Sequence, residues 1–380
     1  MRLFFNFSIL LFLHFYTVAQ QNNPLTIIDG EVILYYPNGN ILQKGFLKNT
    51  KKNGEFLEFY DNGQVKLKSN YIDGFLNDEW LFYYSNGNLN SKCIYKYGKK
   101  TGSFISYFEN GVIHEILNYD QDQLDGDFVS YNSDGVLLIK GKYKTGLKYG
   151  SWDYYYDNGQ LEQTINYKNG LMNGNVEVFY ETGIKKSFSN YVNDTLINTQ
   201  ILYYPNGKVQ LEGSYSNGLR HGLFNFYNEN GFILTKSIYF LDKLNGYKED
   251  YADSNKLISV ENYINGFKQH ESKYFYPSGN LFKKGNFIDD VKDGLWFEYF
   301  DSGLLSKKTN FSKGKLNGDY IDYYNDGRVE EKGQYLNDQK VGVWKIYFYY
   351  KDDVFESVGT FKNGIKSDDW QTYKLKSLDN

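Results

Sequence analysis

Cysteine, methionine, proline and histidine are all scarce: one, two, four and four copies in 380 residues. The single thiol, Cys93, cannot close an intramolecular disulfide, so the fold must be held by other means. The histidines do not gather. His14 stands in the N-terminal apolar run, and His114, His221 and His270 take different phases of the repeat described below. There is no His-Glu-x-x-His, no cysteine pair and no phosphate-loop motif. No catalytic, cofactor or metal residues are expected, and the chain reads as a protein that is not an enzyme. Asp122/Asp125 and Asp352/Asp353 are close enough in sequence to flank a cation, but their positions suit solvated turn acids better. A basic excess is missing too, with 42 Lys and Arg against 46 Asp and Glu. That balance excludes an electrostatic footprint for nucleic acid and a polybasic lipid-binding cluster.

Long apolar runs are absent except at the start. Met1-Arg2 precedes an apolar stretch from Leu3 to Val18, and Thr17-Val18-Ala19 fits a small-residue cleavage site before Gln20. A basic start, a short apolar core and a small residue before the cut describe a secretory signal peptide over residues 1–19. The run is short for an uncleaved membrane anchor. Cleavage removes Arg2 and leaves 41 basic against 46 acidic residues, a net charge of −5. The expected location is exported: periplasmic, at the outer surface or secreted, with no membrane insertion after cleavage.

Aromatic residues are abundant, with 39 Tyr, 29 Phe and 5 Trp making 19% of the chain. They recur in a phrase of fixed length. An Asn/Asp-Gly type turn falls every 24 residues at Gly39, Gly63, Gly87 and onward to Gly327, with Asn255 at the one rung that lacks glycine. Asparagine is the next most tolerant residue for a left-handed backbone. Unbroken phase means a repeat array in which each unit packs on its neighbours. The organisation is a signal peptide at 1–19, a lead-in at 20–30, the array at 31–375 and a tail at 376–380.

Within one repeat, Glu79 to Tyr95, two β-rich runs flank Ser85-Asn86-Gly87. A two-residue type I′ turn and a three-residue loop closed by a glycine bulge both fit a hairpin. Pro37, Pro205 and Pro277 stand just before Asn/Ser-Gly, where proline favours the first central position of a type I turn, so the three-residue loop is preferred. A second glycine pair, as in Gly98/Gly102 and Gly146/Gly150, marks the reversal between hairpins. The fold class is all-β: an elongated antiparallel meander of about fourteen 24-residue hairpin repeats. Tyr83, Leu89, Cys93 and Tyr95 are expected on one packed face, in columns that are aromatic, aliphatic, small and aromatic along the chain.

One row suggests recognition. Trp80, Trp152, Trp296, Trp344 and Trp370 share a repeat phase three residues before the Tyr83 column, so they face the other side. The neighbouring phase adds Tyr156 and Tyr204. These seven are the candidate partner-binding residues, because aromatic rows facing solvent suit protein or glycan contacts. The competing reading is a ribbon that coils until both rows pack inside. Two repeats depart from the pattern, at Asn193-Asp194-Thr195 with Asn198-Thr199, and at Ala252–Asn255 with His270-Glu271-Ser272. They mark contact sites or drift.

The repeats resemble the MORN-repeat variant, in particular the bacterial YwqK-type antitoxin family. The matching phrases are Tyr155-Tyr156-Asp157-Asn158-Gly159-Gln160-Leu161 and Tyr143-Lys144-Thr145-Gly146-Leu147-Lys148-Tyr149-Gly150-Ser151-Trp152. The likeness covers about residues 31–375. It implies a meandering antiparallel sheet and a protein partner, in some members a secreted toxin. The expected function is therefore an exported, non-enzymatic repeat protein that binds another protein, extending to antitoxin-like or immunity-like neutralisation. The alternative is a structural or surface protein holding glycan or envelope components on its aromatic rows.

Overall fold

The computed structural model describes residues 29–350 and 353–377. The expected signal peptide, most of the lead-in and the last residues of the tail lie outside them. The chain divides into two compact units, one through Lys99 and one from Lys100. Every regular element described is a β-strand. In each unit the strands form antiparallel hairpins laid side by side in chain order, as in the pairings of 54–59 with 65–71 and 150–155 with 161–167.

The strands Leu147–Tyr155, Leu161–Lys168 and Leu171–Phe179 show how one repeat is built. The first two are joined by a three-residue loop. Gly159 N–H donates to the Tyr156 carbonyl at 2.8 Å, and Tyr156 N–H donates to the Gln160 carbonyl at 2.9 Å. Gly159 has φ 82°, a conformation costly for a β-branched residue. This is the type I turn with a glycine bulge that the prolines suggest, and Gly39 closes the same turn on Tyr36 around Pro37 at 2.9 Å.

The second connection is tighter. Lys168 pairs with Leu171 around Asn169 and Gly170, whose φ values of 52° and 81° are those of a type I′ turn. Where aspartate takes the glycine place, the left-handed backbone is kept and its carboxylate finds work. Asp242 N–H donates to the Arg220 carbonyl at 3.0 Å, while Arg220 N–H donates back to the Asp242 carboxylate at 2.9 Å. Asp194 does the same with Met172, at 3.0 Å and 2.6 Å. The departure at Asn193-Asp194 is thus a second solution to the same turn.

The packed face differs from the sequence expectation. Tyr83 pairs with Leu89, but Phe82 pairs with Ser91, so Asn90 is an extra residue in a bulge. A bulge moves every later side chain to the opposite face. Tyr95 and Cys93 therefore join Trp80, opposite the face that carries Tyr83 and Leu89. Strict alternation from Leu89 cannot anticipate this crossover, because the extra residue leaves the spacing along the strand unchanged.

Candidate contact surface

The tryptophan row is the interior. Trp152, Trp296 and Trp344 are 1%, 1% and 0% exposed, whereas the Tyr83 column is mostly half-buried. Trp80 and Trp370 are half-buried in the same row. Each large ring lies over a residue eleven positions earlier. A Cβ at Gly141, Gly285, Gly333 or Gly359 would come within 2.2 to 2.4 Å of the ring of Trp152, Trp296, Trp344 or Trp370. Glycine is needed there because the ring occupies the space of any side chain. Trp80, the fifth, lies opposite Ser69. Above the ring sits a lysine four residues earlier, with Lys148, Lys292, Lys340 and Lys366 ammonium groups 3.8 to 4.3 Å from the ring centroids. The indole N–H of Trp152 donates to the Lys142 carbonyl at 3.1 Å, and that of Trp344 to the Gln334 carbonyl at 3.2 Å. Tyrosines meet the ring edge on, as Tyr335 does with Trp344 at 5.3 Å.

These tryptophans are accordingly corrected from a contact row to a core row. The reason is the bulge, which brings the small and Tyr95 columns onto the tryptophan side. A sequence signal for it exists in the Gly-to-Trp spacing of eleven and the Lys-to-Trp spacing of four. Cys93, 4% exposed and opposite Trp80, fills one of the small places.

Tyr156 and Tyr204 also work within the array. Tyr156 Oη donates to the Phe179 carbonyl at 2.7 Å, and Tyr204 Oη to the Tyr227 carbonyl at 2.8 Å. Tyr36, Tyr60, Tyr180, Tyr276 and Tyr324 make the same bond to the residue 23 positions on. This column staples one repeat to the next.

Between Phe224 and Trp296 the core row changes character. Lys248 and Ser272 occupy the ring positions, and Glu261 occupies the glycine position eleven before Ser272. Lys268, which elsewhere would cap a ring, donates instead to the Glu261 carboxylate at 2.5 Å. Tyr263 and Tyr274 hydroxyls donate to the same carboxylate, each at 2.7 Å. Glu261 is 6% exposed. Burial raises its carboxyl, but the hydrogen bonds from Lys268, Tyr263 and Tyr274 outweigh it and hold it below the ordinary glutamate value. Burial and the bond to Glu261 push both phenols up. Asp250 gathers Thr235 at 3.0 Å, Lys248 at 2.6 Å and Ser259 at 3.2 Å. Ser272 is fully buried, and its Oγ has no hydrogen-bond partner among the described residues.

The outside of this stretch follows the rest of the array, where Phe75, Leu147, Leu171, Val192 and Leu336 are likewise exposed beside the equivalent turns. From 219 to 295 large apolar side chains lie exposed, among them Phe240, Ile264, Phe267 and Ile288, with Phe267 52% and Ile288 55% exposed. They flank the type I′ turns, away from the loops of the first connection. Those loops are polar: Asn206 Nδ2, for example, donates to the Glu229 carbonyl at 2.8 Å.

Seven segments match the MORN repeat variant. They are residues 28–49, 52–73, 79–97, 100–121, 148–169, 198–217 and 271–289. No curated protein matches the chain. Among solved structures, a chain of the "Crystal Structure of TcdB2-TccC3-Cdc42" is similar at 12% identity, over 86% of this chain and 23% of that one, with a TM-score of 0.13. This chain thus spans about a quarter of that chain, and a likeness at that TM-score carries no argument. The MORN-variant repeats indicate a repeat protein with a binding role.

The acids considered as cation ligands serve turns. Asp122 accepts from Lys100 N–H at 2.8 Å, and Asp125 from Thr145 N–H at 3.1 Å. Asp352 lies outside the described residues, and Asp353 meets Lys374 at 2.6 Å. Among the described residues no three His, Cys, Asp or Glu side chains converge as metal ligands.

Proposed function

We propose that the chain is an exported, non-enzymatic protein that binds another protein, with neutralisation of a toxin as its specific task. The observation that carries the protein-binding reading is the apolar side chains left exposed beside successive type I′ turns, Leu171, Val192, Phe240, Phe267, Ile288 and Leu336 among them. Soluble proteins seldom leave such side chains clustered in water without a contact to cover them. Export rests on the N-terminal sequence, and neutralisation on the resemblance of the repeats to the YwqK-type family. Glycan binding on open aromatic rows is disfavoured, because Trp152, Trp296 and Trp344 are buried and Trp80 and Trp370 half-buried in the same row.

The test has two arms. Expression with the native N-terminus should place the chain outside the cytoplasm with Gln20 as its first residue. The product of a neighbouring gene should co-purify with the mature chain and lose its toxicity to cells. A stable complex whose toxicity is unchanged removes neutralisation but keeps protein binding. Retention in the cytoplasm with Met1 intact removes export.

A further inference from the structure

The stretch 219–295 departs from most of the array inside, while its turn edge is apolar like that of other repeats. Its core row carries Lys248 and Ser272 at ring positions, as Val176 and Gln200 stand at two others, and Glu261 at a glycine position. Its turn edge carries Phe267 and Ile288 in water. Each feature by itself works against stability, since a buried ion pair gains little over an apolar pair and an exposed phenylalanine gains nothing from folding.

The chemistry of that edge is specific. Ile288, Asp289, Val291, Asp293 and Lys313 line a dent of about 380 Å³ between successive turns. Its walls are aliphatic and it holds two carboxylates against one ammonium. Asp289 accepts one bond, from Gln269 Nε2 at 2.5 Å, and Asp293 one, from Lys313 N–H at 3.2 Å. An ionised carboxylate has room for more donors than that. The nearby Lys292 is engaged elsewhere, its ammonium 4.3 Å from the Trp296 ring centroid in the core row. The dent therefore keeps a net negative charge beside an apolar stripe.

Resting on the protein-binding reading above, we propose that residues 264–293 form the contact surface, and that the partner supplies an apolar segment bearing a lysine or arginine. The aliphatic stem of the basic residue lies along Ile288 and Val291, and its head meets Asp289 and Asp293. Phe267 and Ile264 take the apolar neighbours of that residue in the partner. An amphipathic basic side chain suits such a site because its stem is apolar and its head is charged.

The experiment selects from a display library of random extended peptides on the immobilised mature chain. Enriched peptides should combine aromatic or aliphatic residues with Lys or Arg. Their affinity should fall by about tenfold or more for Ile288→Ser and for the double substitution Asp289→Asn/Asp293→Asn, as expected of residues central to a contact. Val343→Ser, an exposed apolar residue outside the stretch, should leave affinity unchanged. Enrichment of acidic peptides, or equal enrichment on the Ile288→Ser chain, overturns the proposal. So does sedimentation showing a dimer of the chain that Ile288→Ser dissociates, which would make the stripe an interface between copies. A natural partner that binds the Ile288→Ser chain as well as the unaltered one overturns this surface and leaves the protein-binding reading standing. Circular dichroism melts of each variant confirm that the exposed substitutions leave the fold intact.

Discussion

Residues 237–274 and residues 285–370 belong to the same compact unit and use the same turns, yet their interiors are built from different chemistry. In the later stretch Trp296, Tyr320, Trp344 and Trp370 follow one another at the ring position, three of them over glycine. In the earlier one the ring position holds Lys248 and Ser272, and the glycine position holds Glu261. Strand pairing is the same in kind: Gly246 opposes Tyr263 as Gly294 opposes Phe311, and both hairpins carry their bulge at the equivalent step. The backbone is set by the turns and the bulges, which place left-handed residues at fixed intervals. The interior then adjusts stability without changing the path of the chain.

The largest effect should come from the ring row. Trp344→Ala removes a fully buried indole, its bond to the Gln334 carbonyl and the seat of Lys340, and should cost about 3–5 kcal/mol in local stability. Tyr347→Ala, in the half-buried column on the opposite face, should cost clearly less. Amide exchange across residues 329–361 reads both, since arrays open locally. Equal losses for the two variants would show that both faces are core and that the ranking of faces is wrong.

A smaller effect, opposite in sign, tests the polar stretch. Glu261→Gly with Ser272→Trp rebuilds the ring-over-glycine pair at the position where it is missing. Replacing a buried charged cluster by well-packed apolar groups is often neutral or stabilising by about 1–4 kcal/mol. The melting temperature should rise in the double variant and fall in Ser272→Trp alone, where the indole meets the Glu261 side chain. The two changes should therefore be strongly non-additive. Additive behaviour would mean that residues 261 and 272 do not share one space.

Much of this was legible in the sequence, and the part that was not has a physical cause. The 24-residue phase gives the hairpins, and Pro37 and Pro205 give the turn type, because turn geometry depends on local backbone preference. The face assignment does not follow from local preference. Asn90 and its equivalents are ordinary strand residues, and only pairing across the strands shows that one of them is extra. From that single residue comes the exchange of faces, and with it the misplacement of Trp152, Trp296 and Trp344 as a contact row. The staple made by Tyr156 and Tyr204 was equally hidden, since its acceptor is a backbone carbonyl in the next repeat. Ser272 falls within a departure visible in the sequence, His270-Glu271-Ser272, but the loss of rings at 248 and 272 shows its meaning only beside the partner position at 261.

Acid should distinguish the two stretches more gently. The folded-state value of Glu261 lies below its unfolded value, so its contribution is present above the ordinary glutamate range near ~4.3 and is lost as pH falls through the folded value. Amides of residues 257–275 should lose protection on acidification before those of 305–347. Glu261→Gln should abolish that difference, because a neutral amide keeps the shape but has no proton to gain. An acid response that persists in Glu261→Gln would place its origin elsewhere.

The smallest effect concerns the staples, which tie repeats through backbone carbonyls and should be indifferent to what the interior contains. Tyr276 Oη donates to the Tyr299 carbonyl at 2.8 Å in one stretch, and Tyr324 Oη to the Tyr347 carbonyl at 3.0 Å in the other. Removing either hydroxyl leaves the ring in place and one carbonyl short of a donor, at a cost of about 0.5–1.5 kcal/mol. Phe300 already lacks the hydroxyl at the equivalent position, so the array tolerates the loss of single staples. Tyr276→Phe and Tyr324→Phe should therefore lower local stability by similar amounts when read by amide exchange. A markedly greater cost for Tyr276→Phe would mean that the staple beside the polar stretch compensates for its missing rings, and that interior and edge are coupled where the comparison treats them as independent.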